Sequence, residues 1–292
     1  MFPTEFAYHA PTTLDEALQL LAGGDGATKV LAGGQSLLPV MKMRLASPTT
    51  LVDIGRIPAL RGIREEGDAV VIGATTTYRE VLDSPVAAQR VPMLVEAIRH
   101  VGDMQVRSRG TIGGSLAHAD PAGDLPAVAL ALNAEISATG AKGNRTIAAD
   151  KFFVDLLTTA LAEDEVLTSI RFQATNTPGT GAAYIKHAHP ASGYAVVGAA
   201  AVVRLGADGA CQEARLAITG AGSHAARATG VEQALTGTHL DAATLAAATA
   251  TATQGLDLLS DSYASADYRA HLAGVLARRA LATAADRARG KA

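Results

Sequence analysis

Leucines at 14, 18 and 21 fall on one face of a helix over residues 12–22, which opens on a Thr-x-x-Asp/Glu pattern and stops at Gly23-Gly24. The short apolar runs 29–32 and 51–54 are too brief for helices and predict buried strands. Together they define a small helix-and-strand unit over residues 1–57. In the next unit, residues 58–176, a Gly67-Asp68 turn separates two strand-like runs, the second at 69–72. Helices are expected at 77–83 and 91–100. Residues 124–131, with proline in the first turn, predict a buried helix. Strands at 135–138 and 165–172 follow, the first closed by a polar turn at 140–144.

Residues 176–181 read Asn-Thr-Pro-Gly-Thr-Gly, turn formers without apolar period, and the boundary of a third unit, 177–292, is placed there. In that unit the runs 194–205 and 211–218 flank Ala207-Asp208-Gly209, a hairpin signature. Helices are expected at 226–235, 241–256 and 267–288, the last with Leu272, Val275, Leu276 and Leu281 at helical spacing. The fold class is α+β.

Composition narrows the function. A net charge of −3 gives no basic face for nucleic acid. Cys211 is the only cysteine, so neither a disulfide nor an iron–sulfur cluster can be built from this chain alone. The apolar stretches 125–134 and 195–203 are far below the roughly 20 residues of a membrane span. The start of the chain lacks the basic-then-apolar pattern of a secretory signal, so a cytoplasmic location is expected.

Two stretches repeat a pattern, LAGGQSLLP at 31–39 and TIGGSLAHADPAGDLP at 111–126. In each, a Gly-Gly pair soon followed by serine comes straight after an apolar run. Adjacent glycines let the main chain approach a ligand, and their N–H groups can form an anion-binding nest. One such turn is most simply a tight strand end. Two, in separate units, suggest a clasp on the pyrophosphate of a dinucleotide. Asp120 and Asp124 lie within ten residues of the second pair and suit ribose or ribityl hydroxyls; the alternative for each is a helix cap, most seriously for Asp124.

Other signals compete. Residues 220–225 fit GxGxxG/A, but the preceding strand is half of a hairpin, which favours a structural turn over a nicotinamide nucleotide site. His187-Ala188-His189 has metal-ligand spacing without a third ligand nearby. His118 sits inside the second Gly-Gly region, either touching ligand or shaping the loop. No Ser-His-Asp or Cys-His arrangement is evident.

Taken together, residues 32–45, 107–126, 184–203 and the C-terminal SYASADYRAHLAGVLARRAL resemble the FAD-binding medium subunit of molybdenum hydroxylases, the carbon monoxide dehydrogenase and xanthine dehydrogenase family. The resemblance implies a two-subdomain FAD-binding domain like that of vanillyl-alcohol oxidase, followed by an α+β domain closing over it. On that pattern Ala32, Gly33, Gly34, Gln35 and Ser36, with Thr111, Ile112, Gly113, Gly114 and Ser115, wrap the FAD pyrophosphate. Asp124 falls where the family has an acid on the ribityl chain, and Asp120 adds a polar contact. Leu167, Lys186 and Tyr194 match positions near the flavin, the tyrosine ring covering one face. Gln35 stands where relatives often carry histidine, and Ser115 where many carry asparagine. A single cysteine excludes the 4-hydroxybenzoyl-CoA reductase branch, whose flavin subunit carries an extra cluster.

The function implied is that of an oxidoreductase subunit that does not turn over the organic substrate alone. Molybdopterin is expected on a large partner subunit and two [2Fe–2S] clusters on a small one, in a dimer of heterotrimers. Electrons would pass to FAD and on to an external acceptor (NAD, quinone, cytochrome or oxygen). N-heterocycles, aldehydes and carbon monoxide all stay open as substrates. The rival readings are a stand-alone flavin oxidase or NAD-dependent dehydrogenase, and an interaction protein that kept the fold without the flavin.

Overall fold

The computed structural model describes residues 2–24 and 26–291. Strands β1 (Ala7–His9), β2 (Thr28–Leu31) and β3 (Thr50–Asp53) form a parallel sheet in the order β1-β3-β2. Helix α1 (Leu14–Ala22) follows β1, and its Thr13 cap accepts from the Glu16 N–H as the sequence pattern requires. A helix α2 (Leu37–Lys42) that the apolar pattern does not announce follows the first Gly-Gly motif.

The second sheet is antiparallel, in the order β4 (Ile63–Glu66), β5 (Ala69–Gly73), β10 (Val166–Gln173), β6 (Glu135–Gly140), β7 (Gly143–Ala148). A small hairpin of β8 (Phe153–Asp155) and β9 (Thr158–Thr159) precedes β10. Between β5 and β6 run six helices: α3 (Tyr78–Leu82), α4 (Pro85–Arg90), α5 (Pro92–Arg99), α6 (Met104–Arg109), α7 (Ile112–His118) and α8 (Asp124–Ala131). Every residue of α8 is buried, as expected of a helix apolar all round.

The third sheet is β11 (Thr180–Ala188), β12 (Ala195–Leu205), β13 (Cys211–Thr219) and β14 (Ala226–Arg227), antiparallel in chain order. Helices α9 (Thr229–Leu235), α10 (Ala242–Thr249) and α11 (Ala266–Ala288) complete it. Strand β12 is apolar without alternation because both its faces are covered. Ala200 and Val202 join the core shared with α5 and α8, while Val197, Ala199, Ala201 and Val203 join the core under α11.

Two expectations change. Thr180 and Gly181, read as linker, begin β11. A Cβ at Gly181 would sit 2.0 Å from the Ala284 carbonyl oxygen, so the glycine marks close packing of α11 on the strand and not flexibility. The stretch from residue 226 does not begin as helix, since Ala226–Arg227 pair with β13 first.

Candidate functional site

Strand β2 delivers the chain into the first Gly-Gly loop, with Leu31 buried beneath it. Gly34 has φ +75°, a left-handed turn that reverses the chain into α2. Among the described residues, the main-chain N–H groups of Gly33, Gly34, Gln35 and Ser36 have no hydrogen-bond partner within the chain. Ser36 occupies the cap position of α2, yet its side chain makes no capping bond. Four consecutive N–H donors therefore wait for an acceptor, and a run of N–H groups suits an anion.

The second motif is not the same turn. Gly113 and Gly114 lie inside the first turn of α7, capped by the Thr111 hydroxyl, which accepts from the Gly114 N–H at 3.1 Å. Its other leading donors are occupied too: Ile112 N–H donates to the Thr76 carbonyl and Gly113 N–H to the Ala74 carbonyl. This half of the clasp is correspondingly not a nest of free N–H groups. Glycine is required at 113 by close approach, since a Cβ there would lie 2.6 Å from the Ala74 Cβ. What α7 offers a ligand is the surface of Gly114 and the hydroxyls of Thr111 and Ser115.

The two motifs meet. A Cβ at Gly33 would fall 2.2 Å from the Arg109 carbonyl oxygen, and one at Gly114 would lie 3.8 Å from the Ala32 Cβ. Between them opens a cavity of about 830 Å³, within the range of roughly 300–1,000 Å³ typical of cofactor sites. Ala32, Gly33, Gly34, Gln35, Ser36, Thr111, Gly113, Gly114, Ser115, Asp120, Asp124, Leu167 and Tyr194 all line it. Ile112 and Lys186 do not: Ile112 is fully buried in the core behind α7, and Lys186 lies beneath the wall with its side chain 3% exposed. Leu167 is presented at a register shift in β10. The cavity also reaches Lys29, Tyr78, His118 and residues 161–165, which the sequence reading did not assign to a ligand, His118 excepted as an open alternative. Lys29 could have been found from its place on the strand that enters the first motif.

Asp124 is the first residue of α8, whose cap is Gly123, so the capping alternative is excluded. One carboxylate oxygen accepts from the Tyr184 hydroxyl at 2.5 Å, the other from the Lys186 ammonium at 2.9 Å. Burial holds the Asp124 carboxyl above its ordinary range, opposed by Lys186 and Tyr184. Burial and the Asp124 charge push the Tyr184 phenol well up. Asp120 shapes its own turn, accepting from the Ala122 N–H, and lies 3.7 Å from His118. Its loop is gripped by the third sheet: the Thr219 hydroxyl shares its one proton between the Pro121 and Gly123 carbonyls, and Gly220 N–H donates to Pro121. Tyr194, 44% exposed, stands at the cavity edge; burial raises its phenol, Asp120 and Asp124 add to this, and the Ser36 hydroxyl opposes it.

The competing motifs take structural places. Residues 220–225 lead into β14 and not a helix, and the Gly220 N–H is already donated to Pro121. The His187 ring meets Tyr268 edge-on, and the His189 ring lies against Tyr263 at 4.4 Å between centroids. Cys211 is buried at the start of β13, where desolvation raises its thiol.

A loop of free N–H donors beside a cavity walled by acids and a tyrosine defines a protein built to hold an extended, phosphate-bearing cofactor. Residues 4–172 match the FAD binding domain in molybdopterin dehydrogenase, and residues 182–284 the CO dehydrogenase flavoprotein C-terminal domain. The chain belongs to this family, the FAD-binding medium subunits of molybdenum-containing oxidoreductases. It is 42% identical to the carbon monoxide dehydrogenase medium chain of Hydrogenophaga pseudoflava, over 96% of this chain and 97% of that one. It is 38% identical to the nicotine 6-hydroxylase medium subunit of Paenarthrobacter nicotinovorans, over 96% and 97%. A solved structure of the Hydrogenophaga pseudoflava carbon monoxide dehydrogenase, lacking the Mo-pyranopterin moiety of its cofactor, superposes with a TM-score of 0.94 at 43% identity, covering 97% of this chain and 98% of that one. The residues present fit FAD: the first loop offers four N–H groups without a partner that a pyrophosphate could use, and the acids could accept from hydroxyls. Among the described residues, no helix is long and apolar enough to cross a membrane.

Proposed function

We propose that this chain is the electron outlet of a heterotrimeric molybdenum hydroxylase, taking electrons from [2Fe–2S] clusters on a small subunit and delivering them to an external acceptor. Substrate is hydroxylated on the large molybdopterin subunit; an N-heterocycle is one class open to it, in line with the likeness to the nicotine 6-hydroxylase medium subunit, and carbon monoxide is another, in line with the likeness to carbon monoxide dehydrogenase medium chains. When bound, FAD supplies redox chemistry that no side chain here possesses, exchanging electrons with one-electron and two-electron partners.

The protein's part is to hold and orient. The N–H groups of Gly33, Gly34, Gln35 and Ser36 bind the pyrophosphate, with the hydroxyls of Ser36, Thr111 and Ser115 as further donors and Ala32 and Gly114 allowing close approach. Asp120 and Asp124 accept from ribityl hydroxyls. Leu167 forms an apolar wall, and the Tyr194 ring covers the flavin and excludes water from it. Ile112 and Gly113 fix α7 from behind. The division into 1–57, 58–176 and 177–292 is supported by the three larger sheets, one to each unit. On this reading the complex is a cytoplasmic dimer of heterotrimers.

The observation that carries this reading is the set of four partnerless N–H groups in a loop that lines the cavity. The test is reconstitution of the complex with and without this chain. Substrate should still bleach the iron–sulfur absorbance of the other two subunits, while acceptor-coupled turnover returns only with the FAD-loaded chain. Full acceptor-coupled turnover without it refutes the proposal.

A further inference from the structure

Lys186 does not line the cavity, yet its ammonium is fully engaged. It donates to the Asp124 carboxylate at 2.9 Å, to the His100 carbonyl at 2.9 Å and to the Gly193 carbonyl at 2.7 Å. An ammonium has three protons and accepts nothing, so no donor remains for a ligand. The three acceptors come from three places: the end of α5, the start of α8 and the 189–194 loop that carries Tyr194. Main-chain hydrogen bonds within that loop otherwise join its residues to one another, His189 to Tyr194 and Gly193 to His189, until Ala195 N–H donates to Ala122. Two residues earlier on β11, Tyr184 reaches the second Asp124 oxygen. A Cβ at Gly198 on the neighbouring strand would fall 2.5 Å from the Tyr184 hydroxyl, so β12 leaves room for it.

We propose that Lys186 is a positioning residue that latches the Tyr194 loop onto the cavity and keeps Asp124 an acceptor, without itself touching the cofactor. This rests on the flavin reading of the site. The groups facing Asp124 are Lys186 and Tyr184 from β11, His100 at the end of α5, Tyr78 from α3, and Tyr194 from the loop, on which Asp120 also acts. Lys186 is the one ammonium or guanidinium among them. Removing it leaves a carboxylate 6% exposed with no ammonium or guanidinium facing it, which favours the protonated form; a protonated acid donates where an acceptor is needed.

The test uses the full chain as wild type, Lys186→Met, Lys186→Arg and the double variant Lys186→Met with Asp124→Asn. FAD binding is titrated by flavin fluorescence from about pH 6 to about pH 9, a window in which buried carboxyls lacking a partner titrate. Amide exchange over residues 189–194 is followed in the flavin-free chain. Wild type should bind with an affinity flat in pH. Lys186→Met should bind at least about tenfold more weakly at the acid end, recover toward alkaline pH as Asp124 ionises and becomes an acceptor again, and exchange its loop amides about tenfold faster. Exchange should be as fast in the double variant, with the pH dependence gone. Lys186→Arg keeps the charge and should stay flat; if Lys186→Met does not fold, a Lys186→Arg profile that slopes like an unpaired acid overturns the latch. Wild-type affinity in Lys186→Met, or a loss flat in pH with unchanged loop exchange, also overturns it. A wild-type chain that binds no FAD refutes the flavin reading, whereas normal wild-type binding with an inert Lys186→Met refutes the latch alone.

Discussion

Replacing Gly33 by alanine tests the first loop where it is most tightly constrained. The added methyl carbon would lie 2.2 Å from the Arg109 carbonyl oxygen and 2.9 Å from its carbonyl carbon. Both are main-chain atoms at the end of α6, and Gly110 N–H ties this turn to the Val106 carbonyl at 2.7 Å, so it has little room to retreat. Reaching the 3.4 Å of ordinary contact requires the loop to move by about 1.2 Å. A hydrogen bond of about 2.9 Å stretched by that much is lost. Bonds to a charged acceptor contribute about 1.5–3 kcal/mol each, so losing one or two of the four donors costs about 3 kcal/mol, or roughly 100-fold in affinity. Folding should suffer less, by about 1–3 kcal/mol, the usual cost of one surplus methyl group in a packed site. The assay is FAD titration of the folded variant by fluorescence, with a urea melt alongside. Gly33→Ala binding FAD within about threefold of wild type would refute the claim that this loop grips the pyrophosphate.

Glu165, at the cavity wall, accepts from Arg145 at 2.7 Å through both oxygens and from the Ala162 N–H; these bonds lower its carboxyl against the opposing effect of burial. A depressed folded value means the stabilisation is present above the unfolded value of about 4.5 and is lost as pH falls through the folded one, so Glu165→Gln should lower the urea midpoint at pH 7 and the gap should close in acid. Tyr78 is pushed up to about 12 by burial, with Ser115 opposing; Tyr78→Phe should leave the tyrosinate absorbance of the folded chain unchanged below about pH 11. Glu96 binds Arg287 through both oxygens and accepts from the Tyr184 N–H, joining α5 to α11 and β11; Glu96→Ala should cost about 2 kcal/mol in a urea melt.

Elements with a local signature were legible. Helix α8 runs over the residues its apolar run predicts, and the hairpin of β12 and β13 turns at Asp208-Gly209. Elements set by tertiary contact were not. Glycine disfavours helix by about 1 kcal/mol, so Gly113-Gly114 read as a turn; the Thr111 cap and the close packing on Ala74 override that preference. Gly181 read as linker because close approach of α11 leaves no trace in the strand's own sequence. In the site, thirteen of the fifteen residues named from the sequence line the cavity, whereas much of its wall, Lys29, Tyr78 and residues 161–165 included, carries no motif and was not named. The place of Lys186 was not legible either, because its three acceptors are 7, 62 and 86 residues away and two are main-chain carbonyls.

The most direct measurement is the flavin content of the purified chain, alone after incubation with FAD and again within its native complex, by absorption spectrum and acid extraction. One FAD per chain in both preparations, with iron–sulfur absorbance and molybdenum only in the complex, is the result this account predicts. A folded chain that takes up no flavin in either preparation would contradict it.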